Sequence, residues 1–572
     1  ALFIESQEWK PAELNELIKK IQVLSHAAVG SGLIEFWEWE RAKSILGKEF
    51  KSTASLESLQ EFLVRSRGIV EWSSAMVKAV YGEEVNLYAS FEPKAYQFLD
   101  DRIRSSVALD LGNSVSRLGA IISQHSSIAN NVMGISGQST IRGLNPGYAF
   151  GELVVADEAV ESIEFSKDKI YVFERPPSGL KPVAGIMTVS EGNLVSHVQL
   201  LARNLGVPNA ALSNENLKAL KKFSGQKVFY AVSNKGNVII KLEKDMSAAE
   251  KELFAKEQQD GNKIEVPVNR LKLDQTDILN LREVKADDSG KICGPKAANL
   301  GQLKSIFPEH VVEGFVIPFG IFRKHLDNEM PGQNMSYWEY LNAIYDQAEE
   351  MKKSNKGEEA IEEFQLERLS ILKNAIVDME LNPDFIAQLE VEFKKALGSS
   401  IGTVPVFLRS DTNMEDLKEF TGAGLNLTLF NIKSKENILK GIKEVWASPY
   451  MERSVKWRQK YLLNPEYVFP SIVVIPGVNV NYSGVVITTG INEGGKDDMT
   501  VAFSRGAGGA VDGQAAETRL ITSGKDFLLS PSREPSYVSL PASGGTKTNY
   551  TTFETPILNQ KNMISCLRHR WC

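Results

Sequence analysis

The sequence predicts a multidomain protein of mixed α/β and α+β build behind a helical N-terminal region. Three observations carry this reading. At 572 residues the chain exceeds what one hydrophobic core fills, so domains of about 100–200 residues each are expected. Apolar positions recur at helical spacing through residues 1–130. Beyond "GLNPGYAFGELVV" the texture changes to short alternating runs broken by glycine.

The helical reading rests on "ELNELIKKIQVLSHA" and "SLESLQEFLVRSRGIVEWSSAMVKAVYG", with Pro11 and Pro93 the two prolines across that span. Gly143, Pro146, Gly147 and Gly151 then punctuate a turn into a strand. From 144 to about 242, the runs "GELVVA", "KIYVFE", "VAGIMTV", "QKVFYAV" and "NVIIKL" alternate with turns and one or two helices, the signature of a compact α/β unit. The charged stretch "EKDMSAAEKELFAKEQQDGNKIEVPVN" reads as a solvated helix and an extended connector. After about 280 the texture is α+β: a Gly/Lys loop, a long charged helical insertion over 335–398, then strands rich in Val and Ile. The expected boundaries are a helical region at 1–135, an α/β domain at 136–243, a linker at 244–278 and an α+β domain at 279–572.

Composition narrows the function. Apolar residues make up 42% and charged residues 24%, and no run of 18 apolar residues appears, so no membrane partner is expected. The 65 basic residues face 72 acidic ones, a net charge of −7, which offers no broad basic surface for nucleic acid. Cys293, Cys566 and Cys572 lack metal-ligand spacing and fit a reducing cytoplasm. The chain opens without an initiator methionine and ends in "CLRHRWC", which reads as a fragment of a longer product with a truncated or frame-shifted tail.

Only six histidines occur, and His197 falls between a polar glycine-bearing loop and a short amphipathic helix in "GIMTVSEGNLVSHVQLLARNLGVPNAAL". Ser196 is a good N-cap; Val198, Leu201, Ala202 and Leu205 share one helical face; Gly206 and Pro208 stop the helix. His197 is therefore displayed in a first turn. There the helix polarity disfavours imidazolium and welcomes an anion, so a neutral imidazole could attack phosphorus and its phosphorylated form would meet backbone donors. A surface histidine in an ordinary strand-to-helix turn fits the same geometry.

Farther along, "GPKAANLGQLKSIFPEHVVEGFVIP" puts Lys296 in a glycine-flanked turn before a helix. There an amine can neutralise a phosphate while backbone N–H groups bind its oxygens. "VPVFLRSDTNMEDLKEFTGAG" ends an apolar strand on Arg409, suited to forked phosphate contact, followed by Ser410, Asp411, Glu415 and Asp416, whose acids could hold Mg²⁺. A capping loop with a solvated lysine and a strand-end arginine in a salt bridge are the plain alternatives.

Taken together these motifs resemble the phosphoenolpyruvate-utilising dikinases, the family of phosphoenolpyruvate synthase, pyruvate phosphate dikinase and the glucan, water dikinases. Ser196-His197, Ala202-Arg203 and Gly206-Val207-Pro208 are similar to the family's phosphohistidine motif, with Gly192 the one glycine left of its upstream pair. The later segments resemble its ATP-grasp domain: Gly-x-Lys-x-Ala-Asn-Leu-Gly, Gly-Phe-Val-Ile, then Arg-Ser-Ser-x-x-x-Glu-Asp before a small-residue loop. "NYSGVVITTG" resembles its Ser-Gly-Val strand at Ser483-Gly484-Val485, although the family's preceding Gln-Glu/Lys pair falls on Ile475 and Pro476. The acid of the next strand is missing from "VAFSRGAGGAVDG", so Arg505 or Glu517 would have to substitute, and the family's final acidic motif is not found in the tail.

The resemblance implies a swivelling phosphohistidine domain at 136–243 and an ATP-grasp nucleotide-binding domain at 279–572, the domain order of the glucan, water dikinases. It implies ATP and Mg²⁺ as cofactors, with no metal ligand assigned. His197 would carry the phosphoryl group with Arg203 beside it, and Lys296, Arg409, Ser410, Asp411, Glu415 and Asp416 would bind the nucleotide. The acceptor would be pyruvate, an α-glucan or another small molecule, and a homodimer is compatible with this reading. The alternative is a catalytically weakened phosphorelay or regulatory protein that keeps the histidine domain; a purely structural ATP-grasp domain is a third reading.

Overall fold

The computed structural model describes the chain apart from residues 1–12, 51–54, 126–129, 136–137, 139–140, 157–164, 175–182, 190–206, 234–235, 256–264, 416–426, 490–496, 511–515, 523–524 and 560–572. Helical periodicity is realised first in α1 (Leu14–Gly30), α2 (Phe36–Leu46), α3 (Leu56–Ala89), α4 (Gln97–Arg104) and α5 (Val107–His125). In α1 the buried positions Leu17, Ile18, Ile21, Leu24 and Ala28 form one stripe. The α3 helix starts where the Ser55 hydroxyl accepts the Ser58 N–H.

Two short strands, β1 (Asn131–Val132), within the span expected to be helical, and β2 (Arg142–Asn145), precede the strands expected after residue 144: β3 (Gly147–Val155), β4 (Lys169–Phe173), β5 (Gly185–Thr188) and β6 (Asn209–Ala211). Helix α6 (Asn214–Leu220), β7 (Lys227–Val232), β8 (Val238–Leu242) and α7 (Ala248–Ala255) complete this part. The eight strands form one mixed sheet in the order β1-β8-β7-β3-β4-β5-β6-β2. β3 is its spine, parallel to β4 and antiparallel to β7. All four residues of β5 are buried, as expected for a central parallel strand covered on both faces. β5 and β6 are parallel neighbours. The segment joining them includes 190–206, so His197 and Arg203 lie outside the described residues.

The third part contains β9 (Leu279–Asn280), α8 (Pro295–Ile306), β10 (Phe315–Ile317) and α9 (Phe319–His325). The charged insertion is helical as its pattern predicts: α10 (Tyr337–Lys353), α11 (Glu358–Asp378) and α12 (Pro383–Leu397). Then come β11 (Val406–Thr412), β12 (Thr428–Ile432), α13 (Lys435–Ala447), α14 (Glu452–Tyr461) and β13 (Pro470–Pro476). These strands form a five-stranded sheet, β12-β11-β13-β10-β9. Strand alternation assigns its two faces. Leu408, Ile472, Val474, Phe315 and Ile317 join the large core with α9 to α13, whereas Val473 and Val316 pack with Cys293, Ala297 and Ala298 at the start of α8.

Finally β14 (Tyr482–Ile487), β15 (Met499–Arg505), β16 (Glu517–Thr522) and β17 (Lys525–Ser530) make an antiparallel four-stranded sheet. Chain contacts divide the molecule into two compact units: residues 1–258 with 480–538 and 548–572, and residues 259–479 with 539–547. The division falls within 279–572, the span expected as one nucleotide-binding domain. In the first unit, Leu528 of β17 belongs to the same core as α1, α2, α3 and α5. The Arg65 guanidinium and the Trp72 indole N–H donate to the carbonyls of Leu528 and Leu529 at 2.6 and 3.2 Å. No helix among the described residues is long and apolar enough to cross a membrane.

Candidate functional site

The site is built where α8 meets β11 and β13 in the second unit. Proline at the first helical position of α8 presets the backbone and has no N–H to satisfy, but the capping position is Gly294, which has no side chain to serve the following amides. The acceptors come from the sheet instead. Asp411 on β11 accepts the Lys296 N–H through Oδ1 at 3.0 Å and the Ala297 N–H through Oδ2 at 2.8 Å. The Gly294 N–H donates to Ser471 Oγ at 3.1 Å, and that hydroxyl donates to the Asp411 carbonyl at 2.8 Å. A Cβ on residue 294 would lie 2.2 Å from Asp411 Oδ1, so only glycine permits this approach.

Lys296 lies inside the first turn of α8, one step later than the turn position expected from sequence. Its amine donates to the Ser410 carbonyl at 3.0 Å and pairs with Glu415 at 2.5 Å. The lysine side chain is 38% exposed and the Glu415 side chain 6%, so the amine sits at the rim with its counter-ion behind it. Arg409, two residues before Asp411, falls on the same sheet face and is exposed. Ser410 and Asp411 are buried.

Five of the expected nucleotide residues, Lys296, Arg409, Ser410, Asp411 and Glu415, thus converge on one end of β11; Asp416 lies outside the described residues. Asp411 and Ser410 act on Lys296, not on solvent. Burial and the nearby Glu415 charge push the Asp411 carboxyl up to about 7, against the pull of Lys296 and the two amides. Burial, together with the Asp411 and Asp288 charges, raises the neighbouring Cys293 thiol far above its ordinary range, so this cysteine is held as an inert thiol.

Gly294 and Ser471 were not singled out by sequence reasoning. The signal available was Gly-Pro opening a helix: a start without a capping side chain requires acceptors from elsewhere in the chain. Ile475 and Pro476, which stand where the related motif has a polar pair, end β13, and Ile475 packs partly buried beside Leu279 and Leu300.

The two residues considered as substitutes for the missing strand acid lie in the first unit, where each binds another part of the chain. Glu517 is fully buried, accepts the Ile557 and Leu558 N–H groups at 2.5 and 3.3 Å, and takes the Arg519 Nε donor at 2.7 Å. Arg505 donates to the Thr555 carbonyl at 3.1 Å. Among the described residues, no group of three or more His, Cys, Asp or Glu side chains is arranged to hold a metal ion.

Residues 290–545 match the pyruvate phosphate dikinase AMP/ATP-binding domain. A probable phosphoenolpyruvate synthase of Methanothermobacter thermautotrophicus is 30% identical over 234 residues, covering 40% of this chain and 31% of that protein. The phosphoenolpyruvate synthase of Aeropyrum pernix is 27% identical over 257 residues, 44% of this chain and 29% of that one. The chloroplastic alpha-glucan water dikinase of Citrus reticulata is 21% identical over 433 residues, 73% of this chain and 25% of that protein. The chain spans about a quarter to a third of the length of these relatives. Over residues 290–545, the span that holds Lys296 and Arg409, the chain is similar to the phosphoenolpyruvate-utilising dikinases.

Proposed function

We propose that this protein is an ATP-dependent phosphotransferase of the dikinase type, in which a phosphoryl group passes from ATP to His197 and from His197 to an acceptor. The observation that carries the reading is the rim-exposed Lys296 amine held on the Ser410 carbonyl, next in sequence to the exposed Arg409 of β11, inside the matched AMP/ATP-binding domain. Phosphoryl transfer needs little covalent help from the protein; positioning and charge neutralisation supply most of the rate. Lys296 would neutralise a phosphate as a point charge and Arg409 would grip two oxygens in its planar fork. Mg²⁺ would add charge neutralisation on the phosphates.

In the transfer a bond forms between an imidazole nitrogen of His197 and phosphorus. The phosphorus attacked is the β-phosphorus: its bond to the oxygen bridging to the α-phosphate breaks, the electron pair leaves with AMP, and the γ-phosphoryl then passes from the pyrophosphorylated histidine to water or phosphate, leaving the β-phosphoryl group on His197. Arg203, six residues on, would balance charge on the phosphohistidine. Placement of His197 in the connection between the parallel strands β5 and β6 suits this role, because α/β sheets bind ligands at strand ends. The leading acceptors are pyruvate and an α-glucan, and the cytoplasmic setting expected from the cysteines goes with this reading.

Incubation of the protein with β- and γ-labelled ATP tests it. β-Label on the protein, lost in His197→Ala, is the expected result. γ-Label alone would make it a simpler kinase, and an unlabelled protein would defeat the enzymatic reading. Discharge of the labelled protein by pyruvate or by an α-glucan then identifies the acceptor.

A further inference from the structure

We propose that Asp411 is a positioning residue for Lys296: it closes the N-terminus of α8 from within the protein, so that the Lys296 amine and the Arg409 guanidinium, not the helix N-terminus, meet the nucleotide's phosphates. The proposal rests on the ATP-binding reading above and assigns a division of labour inside that site.

The argument is an accounting of donors. A helix begins with amides that have no partner within it, and such amides ordinarily make the N-terminus an anion site. In α8 each is already spent. Gly294 N–H is held by Ser471 Oγ, Pro295 has none, and Lys296 and Ala297 donate to the two oxygens of Asp411. The Ala298 N–H closes the first helical bond onto the Gly294 carbonyl at 3.2 Å. The carboxylate also offsets the partial positive charge of the helix end. A phosphate approaching here would meet a buried carboxylate where a phosphate-binding loop presents free amides.

The same strand holds Lys296 at both ends. Asp411 Oδ1 takes its backbone N–H, and the carbonyl of the adjacent Ser410 takes its amine. Because residues 410 and 411 are consecutive on β11, the lysine's root and tip are referenced to one rigid element. That element also carries Arg409, so the spacing between the two cations is set by the strand. In the related motif Arg-Ser-Ser-x-x-x-Glu-Asp the second serine is Asp411 here, and a two-oxygen acceptor can hold two consecutive amides where one hydroxyl holds fewer.

ATP affinity measured by calorimetry on the full chain tests this, with wild type, Lys296→Ala, Arg409→Ala, Asp411→Asn and the double variant Lys296→Ala/Asp411→Asn. Asp411→Asn should weaken ATP binding about tenfold, the order expected when a charge-assisted contact is lost. It should cost almost nothing further once Lys296 is already alanine, because a positioning residue acts through the group it positions. An equal loss in both backgrounds would mean a general structural effect and would overturn the proposal, as would wild-type affinity in Asp411→Asn beside weakened Lys296→Ala. Wild-type affinity in both Lys296→Ala and Arg409→Ala would instead overturn the ATP-binding reading itself. Should Asp411→Asn unfold, Asp411→Ser, which keeps one acceptor, carries the same comparison.

Discussion

Arg533 grips Glu38 through two hydrogen bonds of 2.6 and 2.8 Å, although 495 residues of chain separate them. Both side chains are almost fully buried, at 3% and 0% exposure. Removing one member leaves an uncompensated buried charge, so Glu38→Ala or Arg533→Ala should each cost about 3–5 kcal/mol. Replacing both with apolar side chains of similar volume should recover most of that loss. Urea denaturation of the two single variants and of Glu38→Leu/Arg533→Met reads this directly, and an additive double loss would count against it.

A second buried cluster holds the segment 555–558. Arg519 donates to the Leu558 carbonyl at 2.7 Å and pairs with Asp526 at 2.6 Å, while Glu517 takes the Ile557 and Leu558 amides. Glu517→Ala should free that segment, so that limited proteolysis cuts near Ile557 well before it does in wild type. An unchanged cleavage pattern would show that the segment is held by other contacts.

Stability should carry a pH signature from Asp411, whose carboxyl is raised from its ordinary 3.8 to about 7. Between those values the folded protein keeps a proton that the unfolded chain has released, so this group's contribution to stability declines as pH rises through the window. Comparing urea midpoints at pH 5.5 and 8 should show a decline in wild type that is shallower in Asp411→Asn. Equal slopes in the two proteins would refute the assignment.

Arg409 is exposed in the middle of β11, and no apolar core depends on it. Arg409→Ala should therefore leave the unfolding free energy within about 0.5 kcal/mol of wild type. Its ATP affinity should fall about tenfold or more, and Arg409→Lys should restore only part of it, because an ammonium lacks the planar fork. Thermal denaturation and calorimetric titration separate the two effects.

Local pattern carried a large share of the fold. The 34-residue helix α3, the strand runs from "GELVVA" to "NVIIKL" and the helical insertion at 335–398 all follow from the spacing of apolar residues, because burial of one helix or strand face is a local arrangement. The helix start beside Lys296 was equally legible from its Gly-Pro opening, whereas the strand expected to end on Arg409 runs on to Thr412. The roles inside the site were not legible. Asp411 reads in sequence as one more acid beside a phosphate-binding arginine, and only the fold shows its two oxygens turned onto amides more than 100 residues away.

What the sequence by itself determined is therefore the set of elements, the family motifs and the residues able to meet a phosphate. Tertiary structure alone decided which of those residues face outward and which are spent inside: Lys296 and Arg409 at the rim, Asp411 and Ser471 on the helix start, Glu517 on the segment before residue 559. It also decided that the sheet β14 to β17 belongs to the same compact unit as the N-terminal helices, with Leu528 of β17 in their core. The physical reason is the same in each case. Hydrophobic periodicity is written within a few turns of chain, whereas a buried donor or charge is satisfied by whichever partner folding brings to it, and nothing in the neighbouring residues names that partner.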